Sequence, residues 1–365
     1  MPDFIPGLEL GRLFHEEAVR PVLAAEFPAL RYAAARLGSG SEVLGFDDEV
    51  STDHCWGPRL DLFLTEEDYD GARAAVDAAL RQRLPREVRG HPTSFTEPDA
   101  ADHGTYRPDP RDSGPVNHHV DFTTPRRFFL SYLGFDIDGE IEPADWLTFP
   151  EQKLRTLRAG AIFHDDLGLA ATRRRFDYYP RDVWLFLLSA GWTRVGQEEH
   201  LMGRAGSVGD ELGSAIIGAR LVRDLMRLCF LMEREYAPYP KWFGTAFQQL
   251  SCARGLTPHL AGALAATRWQ EREAHLVEAY ELVAAKHNAL GLTEPLPARV
   301  RDFFGRPFKV IALQGFADAL AARVADPRVR RLFGRHTVGS LDQFSDSTDL
   351  LSSPERRPAL RRLYE

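Results

Sequence analysis

The sequence is poor in cysteine and in long apolar runs, and it lacks an excess of basic charge. Its 365 residues hold three cysteines, Cys55, Cys229 and Cys252. An odd number this widely spaced, with no Cys-x-x-Cys, excludes a disulfide framework and a cysteine zinc site; the reading is free thiols in a reducing compartment. No stretch approaches the roughly 18 consecutive apolar residues of a membrane-spanning helix. Met1-Pro2-Asp3-Phe4-Ile5-Pro6 shows neither a basic segment nor an apolar one, so it does not read as a signal peptide. A cytoplasmic protein without a membrane partner is expected. With 45 Lys+Arg against 53 Asp+Glu, the formal charge is −8, which argues against nucleic acid held through its phosphates. Apolar residues at 44% and charged residues at 27% are ordinary globular usage and exclude a disordered or collagen-like chain.

The chain changes character near residue 150. Before it, strand and helix patterns alternate. Leu10, Leu13, Phe14, Val19 and Val22 fall at helical spacing within Glu9–Glu26, and Arg31–Leu37 reads as a strand. Arg59–Leu64 sets Leu60, Leu62 and Leu64 against Arg59, Asp61 and Phe63, the period of two of a strand. Thr65 then caps a helix with acidic residues in its first turn, running to Leu84. Strands are expected at Glu87–His91 and Val116–Thr124, with the polar stretch Asp99–Pro115 as a loop. From Asp145 on, the reading is almost entirely helical. Pro180–Ser189, Asp210–Arg234, His259–Leu290 and Val310–Val324 are the clearest segments, with Thr257-Pro258 as the entry to the third and Gly291 as its exit. The expected architecture is α+β: a mixed sheet with flanking helices over 1–150, then an all-helical bundle over 151–365.

One run carries chemistry. Gly38-Ser39-Gly40-Ser41 follows a strand and precedes a short helix expected to begin near Ser41. Small residues there let backbone N–H groups and the Ser39 and Ser41 hydroxyls approach an anion. Asp53 follows, Asp61 lies on the next strand, and Asp121 sits on the polar side of a later one. Three carboxylates beside a phosphate-binding turn suit Mg²⁺, which takes hard oxygen ligands and shares them with substrate phosphates. Taken singly, each has a structural reading too: Asp53 as a turn residue, Asp61 as a partner of Arg59, Asp121 as an exposed strand residue. Their order along the chain favours the metal reading.

The run Gly38–Leu64 resembles the signature of the nucleotidyltransferase (polymerase-beta-like) superfamily: Gly-Ser, a spacer, Asp-x-Asp/Glu, then a later acid. More narrowly, the chain is similar to the bacterial proteins grouped as domain-of-unknown-function family 4037. That likeness is carried by Gly40-Ser41 through Trp56-Gly57-Pro58-Arg59, Gly209-Asp210-Glu211-Leu212-Gly213-Ser214, Tyr236 through Thr245, and Asp342 through Asp349. The resemblance implies an N-terminal nucleotidyltransferase-type domain and a helical second domain, Mg²⁺ on Asp53, Asp61 and Asp121, and an NTP, ATP being expected, as substrate. A small-molecule acceptor is implied as partner, with Gly38, Ser39, Gly40, Ser41 and Lys241 binding the nucleotide and Glu211 as a base from the second domain. Where the superfamily has Asp-x-Asp/Glu, this sequence reads Asp53-His54-Cys55, and a thiol is a poor Mg²⁺ ligand. Either Asp61 supplies the missing carboxylate or the protein binds a nucleotide or metabolite without transferring it; modification of a protein partner is a third reading.

Other residues read as structural. Asp210 is a helix cap, Gln197–His200 a solvated helix face, and Lys286-His287-Asn288 a cationic helix end. His118 and His119 point to opposite faces of a strand and cannot chelate one ion together.

Overall fold

The computed structural model describes residues 3–53, 55–102, 104–109, 113–334 and 337–365, with the side chains of Asp53 and Asp102 outside that description. The fold is α+β and divides into two units. The first comprises Met1–Glu140 and Lys153–Asp177, the second Ile141–Gln152 and Tyr178–Glu365. The chain thus leaves the first unit for residues 141–152, returns, and leaves again.

The first unit is built on a four-stranded mixed sheet. Its strands are β1 (Tyr32–Arg36), β2 (Arg59–Leu64), β5 (His119–Thr123) and β6 (Ala161–Asp165), in the order β5-β2-β1-β6. β1 is antiparallel to β2 and β6, while β2 and β5 run parallel. The stretch expected as a strand at Glu87–His91 is a separate tiny hairpin of β3 (Glu87–Val88) and β4 (His91–Pro92), turned through Arg89-Gly90. The alternation predicted for β2 survives, but both faces are covered: Asp61 and Phe63 are buried along with the three leucines. Leu60, Leu62 and Leu64 join Phe14, Val19 and Leu23 of the N-terminal helix and Val76 and Leu80 of the helix Arg73–Arg83 in one apolar core. Thr65 caps as expected, its hydroxyl accepting from the Asp68 N–H at 3.0 Å.

The second unit is mainly helical. The segment expected from Pro180 extends to a helix of 27 residues, Arg181–Ser207, packed along Glu211–Met232. Asp210 caps the latter by accepting from the Gly213 N–H at 2.7 Å. Several expectations are corrected. Helix is not continuous over His259–Leu290: it divides into Ala253–Ala265 and Trp269–Ala289, and Pro258 lies inside the first piece instead of opening it. Two segments expected to be helical are strands. β6 completes the sheet of the first unit, and β7 (Arg301–Phe303) pairs with β8 (Arg306–Val310) as a hairpin. Nor is Gln197–His200 a solvated face. Glu199 is buried and accepts from the Ile311 N–H at 2.7 Å and the Ala312 N–H at 3.2 Å, satisfying backbone donors exposed where β8 ends. His287 is no helix-end cation either. It is fully buried, accepts from Trp192 Nε1 at 3.2 Å, and burial lowers its pKa to about 4. Among the described residues, no helix is long and apolar enough to cross a membrane.

Candidate active site

The Gly/Ser turn leaves the end of β1. Gly38 has φ +80 and Gly40 φ +151, conformations that cost a side chain strain. The short helix expected at Ser41 is a single 3₁₀ turn, Glu42–Leu44. Its first residue fills the space that the glycine leaves: a Cβ on Gly40 would overlap the Glu42 carboxylate. The turn therefore already lies against an anion of the protein's own.

That anion is held by Arg36, which the sequence reading did not single out. Arg36 ends β1, is buried, and donates from Nε (3.1 Å) and Nη2 (2.8 Å) to Glu42 Oε1. It also donates to the Leu37 and Ser39 carbonyls, at 3.1 and 2.9 Å, and so staples the turn shut. Its Nη1 lies 3.4 Å from Asp61 Oδ2. The neighbouring carboxylates raise the Arg36 pKa against the burial that lowers it. The only sequence trace of this role is a charged residue closing the otherwise small, fully buried run Ala33-Ala34-Ala35.

Asp61 sits in the middle of this network. Its Oδ2 accepts the Leu37 N–H at 2.8 Å, which ties β2 to the start of the Gly/Ser turn. Burial raises its pKa, Arg36 and the Leu37 N–H oppose the rise, and the Asp121 charge adds to it. Asp121 is the direct partner of Asp61 across the parallel β2–β5 pair, so both side chains leave the same face. Unlike Asp61, Asp121 is exposed.

Around them, Arg59 lies 3.5 Å from Glu42 and donates to the Cys55 carbonyl at 2.6 Å. Cys55 takes the left-handed region, φ +49. Tyr106 stacks on His119 with ring centroids 3.6 Å apart. Burial pushes the Tyr106 hydroxyl up to about 12; burial and then the Arg59 charge push His119 down to about 4, so this imidazole is neutral near pH 7. Ser39 hydrogen-bonds the Tyr132 hydroxyl, which also meets Thr156 Oγ1 at 2.6 Å.

Two of the three expected acids, Asp61 and Asp121, are thus neighbours beside the Gly38–Ser41 turn. The third, Asp53, closes the 3₁₀ turn Glu49–Asp53, and its side chain lies outside the described residues, as does His54. Among the described residues, no three His, Cys, Asp or Glu side chains are grouped to hold a metal ion. Glu211 and Lys241 belong to the second unit. Glu211 lies there 3.6 Å from Arg272 and 3.7 Å from Arg268, within ion-pair but not hydrogen-bond distance. Lys241 is exposed, its Nζ 4.8 Å from the Trp242 ring centroid.

Residues 146–243 match the model of the family described as Domain of unknown function (DUF4037). No curated protein matches the sequence. One solved structure, a nucleotidyltransferase-like protein from Exiguobacterium sibiricum 255-15, aligns over 85% of this chain and 89% of its own. The identity is 13% and the TM-score 0.33, a likeness too slight to carry an argument.

Proposed function

We propose that this chain, whose residues 146–243 carry the DUF4037 match, is an Mg²⁺-dependent nucleotidyltransferase that moves an NMP from an NTP, ATP first among them, to a small-molecule hydroxyl. The observation that supports this reading is the in-register pair Asp61 and Asp121 on neighbouring parallel strands, at the foot of the Gly38–Ser41 turn. The donors suit a hard divalent cation. Two guanidiniums, Arg36 and Arg59, face three carboxylates, Glu42, Asp61 and Asp121, which leaves one negative charge uncompensated. Asp61 and Asp121 would hold the ion, with Asp53 as the third acid in this reading. When bound, Mg²⁺ neutralises phosphate charge and lowers the barrier to in-line displacement. The chain's own residues supply positioning. Arg36 and the Leu37 N–H fix the Asp61 carboxylate, and the Ser39 and Ser41 side chains with the turn's N–H groups would bind the phosphates in this reading.

The test is heat stabilisation by ATP with Mg²⁺, followed by pyrophosphate release when candidate acceptors are added. Asp121 is exposed, so Asp121→Asn keeps the fold and is expected to abolish both responses. Absence of any NTP-dependent shift at millimolar nucleotide overturns the reading. A second reading, nucleotide binding without transfer, is favoured by Cys55 in the position of an acid and by Glu42 already lying against Gly40. It is distinguished by stabilisation without pyrophosphate release. With radiolabelled ATP in lysate, label on protein would make a protein the acceptor.

A further inference from the structure

In the second unit, the helix Arg181–Ser207 and the β7–β8 hairpin line an open groove of about 660 Å³, formed by His200, Leu201, Arg204, Phe303, Arg306 and Phe308, together with Pro307. The groove is held open by well-anchored neighbours. A Cβ on Gly203 would come within 2.8 Å of Phe308, so the missing side chain lets the Phe308 ring seat against the helix. Glu273 accepts the Lys309 N–H at 3.0 Å, and Glu199 accepts the N–H groups of Ile311 and Ala312. His200 stacks on Phe303 at 4.0 Å between centroids, and Arg306 lies 5.4 Å from that same ring.

The charges around this groove are not balanced. Several neighbouring cations have acid partners: Arg220 pairs with Glu198, Arg299 with Glu281, and Lys309 with Asp302 at 2.6 Å. Among the described residues, Arg204 and Arg306 have no carboxylate within ion-pair distance. Arg204 donates only to Ser207 Oγ, at 3.2 Å. Arg306 is close enough to His200 to depress the imidazole pKa further, after burial has lowered it. In a chain of net charge −8, one groove thus gathers two guanidiniums without an acid partner, Arg204 from the helix and Arg306 from the hairpin. A carboxylate would neutralise one of them; a phosphate dianion would neutralise both and offers oxygens to two guanidinium forks at once. The hairpin tip adds an aromatic face. Phe304 and Gly305 both have positive φ, and Phe304 is 71% exposed, a costly place for a bulky side chain.

We propose that this groove binds a phosphate-bearing ligand, its phosphate held between Arg204 and Arg306. The site is separate from the acids of the first unit and does not depend on their role. The phosphate can come from a free phosphorylated metabolite or from a nucleic-acid backbone, and the two probes below separate these sources.

The experiment is calorimetric titration of inorganic pyrophosphate into the full chain in EDTA, which silences any metal-dependent site. Single-site binding is expected. It should weaken at least tenfold in Arg204→Ala/Arg306→Ala and stay unchanged in Arg301→Ala, which removes an equal charge from the same hairpin outside the groove. All three side chains are exposed, and an unchanged Tm verifies folding. A second titration uses a single-stranded oligouridylate. If only the RNA binds, and binding is lost in the double variant, the backbone is the source. Binding of pyrophosphate assigns the site to free phosphorylated ligands. Absence of binding by either probe at millimolar concentration, retention of binding in the double variant, or an equal loss in Arg301→Ala overturns the proposal.

Discussion

Each unit buries carboxylates beside an arginine, and the two arrangements behave differently. In the first unit, Arg36 makes hydrogen bonds of 2.8 and 3.1 Å to Glu42 and lies 3.4 Å from Asp61. In the second, Arg227 lies 3.6 Å from Glu151 and 3.9 Å from Asp342, beyond hydrogen-bond reach, and its Nε and Nη1 have no hydrogen-bond partner. Glu151 donates its N–H to Asp342 at 2.9 Å and accepts from the Ala237 N–H at 3.3 Å. Burial, then repulsion from Asp342, raises the Glu151 pKa to about 8, and burial raises Asp342 as well. The pair therefore retains a proton at neutral pH. Burial penalises a carboxylate in both places. What differs is how closely the arginine approaches: Arg36 hydrogen-bonds Glu42 directly, whereas Arg227 hydrogen-bonds neither of its carboxylates.

The largest effect is expected from Arg36→Ala. It leaves Glu42 and Asp61 buried without their cation and opens the Leu37–Ser39 turn. A loss of about 3–5 kcal/mol is expected, read as a fall in urea midpoint. A loss below about 1 kcal/mol would mean that the arginine is not the keystone of this network.

Glu151→Gln sharpens the contrast from the other side. The folded-state pKa of Glu151 is above its unfolded value, so the folded protein holds the extra proton between about pH 4.5 and 8. Stability from this group is fully present at the low end of that window and falls as pH rises through it. The amide has no proton to lose, so the variant's stability should be flatter with pH. Relative to wild type it should gain on the order of 4 kcal/mol between pH 5 and pH 8.5, measured by denaturant melts at both. Parallel pH curves for the two proteins would show that Glu151 stays ionised.

Asp121→Asn should be the mildest of the three. The side chain is exposed, so a stability change within about 0.5 kcal/mol is expected by thermal melting, against the large loss at Arg36 two strands away. A change as large as that of Arg36→Ala would place Asp121 in the structural network instead of on its open side.

What could be read from the sequence was whatever its near neighbours decide. The Thr65 and Asp210 caps are satisfied by N–H groups three residues on, and β2 announces itself by alternation. The pairing of Asp61 with Asp121 was anticipated as convergence of acids, since strand periodicity places each on a definite face. The roles of Arg36, Glu199 and His287 were not legible. Glu199 is buried because Ile311 and Ala312, more than a hundred positions away, present unpaired N–H groups, and His287 because Trp192 needs an acceptor. β6 was missed for a related reason. Five residues after a helix make a strand only because Ala33 and Arg36, far earlier, offer an open edge. For Gly40, a sequence pattern that suits an incoming anion is equally satisfied by an internal one.

The late arrival of β6 bears on how the protein is made. On a chain emerging N-terminus first, the free edge of β1 waits while residues 37–160, including a stretch destined for the other unit, are synthesised. Until Asp165 emerges, four buried-type residues, Tyr32 to Ala35, sit on a strand with unpaired backbone groups along one side. A nascent chain stalled near residue 150 would therefore be at its most prone to self-association. Continued synthesis through Asp165 would supply β6 and close that edge.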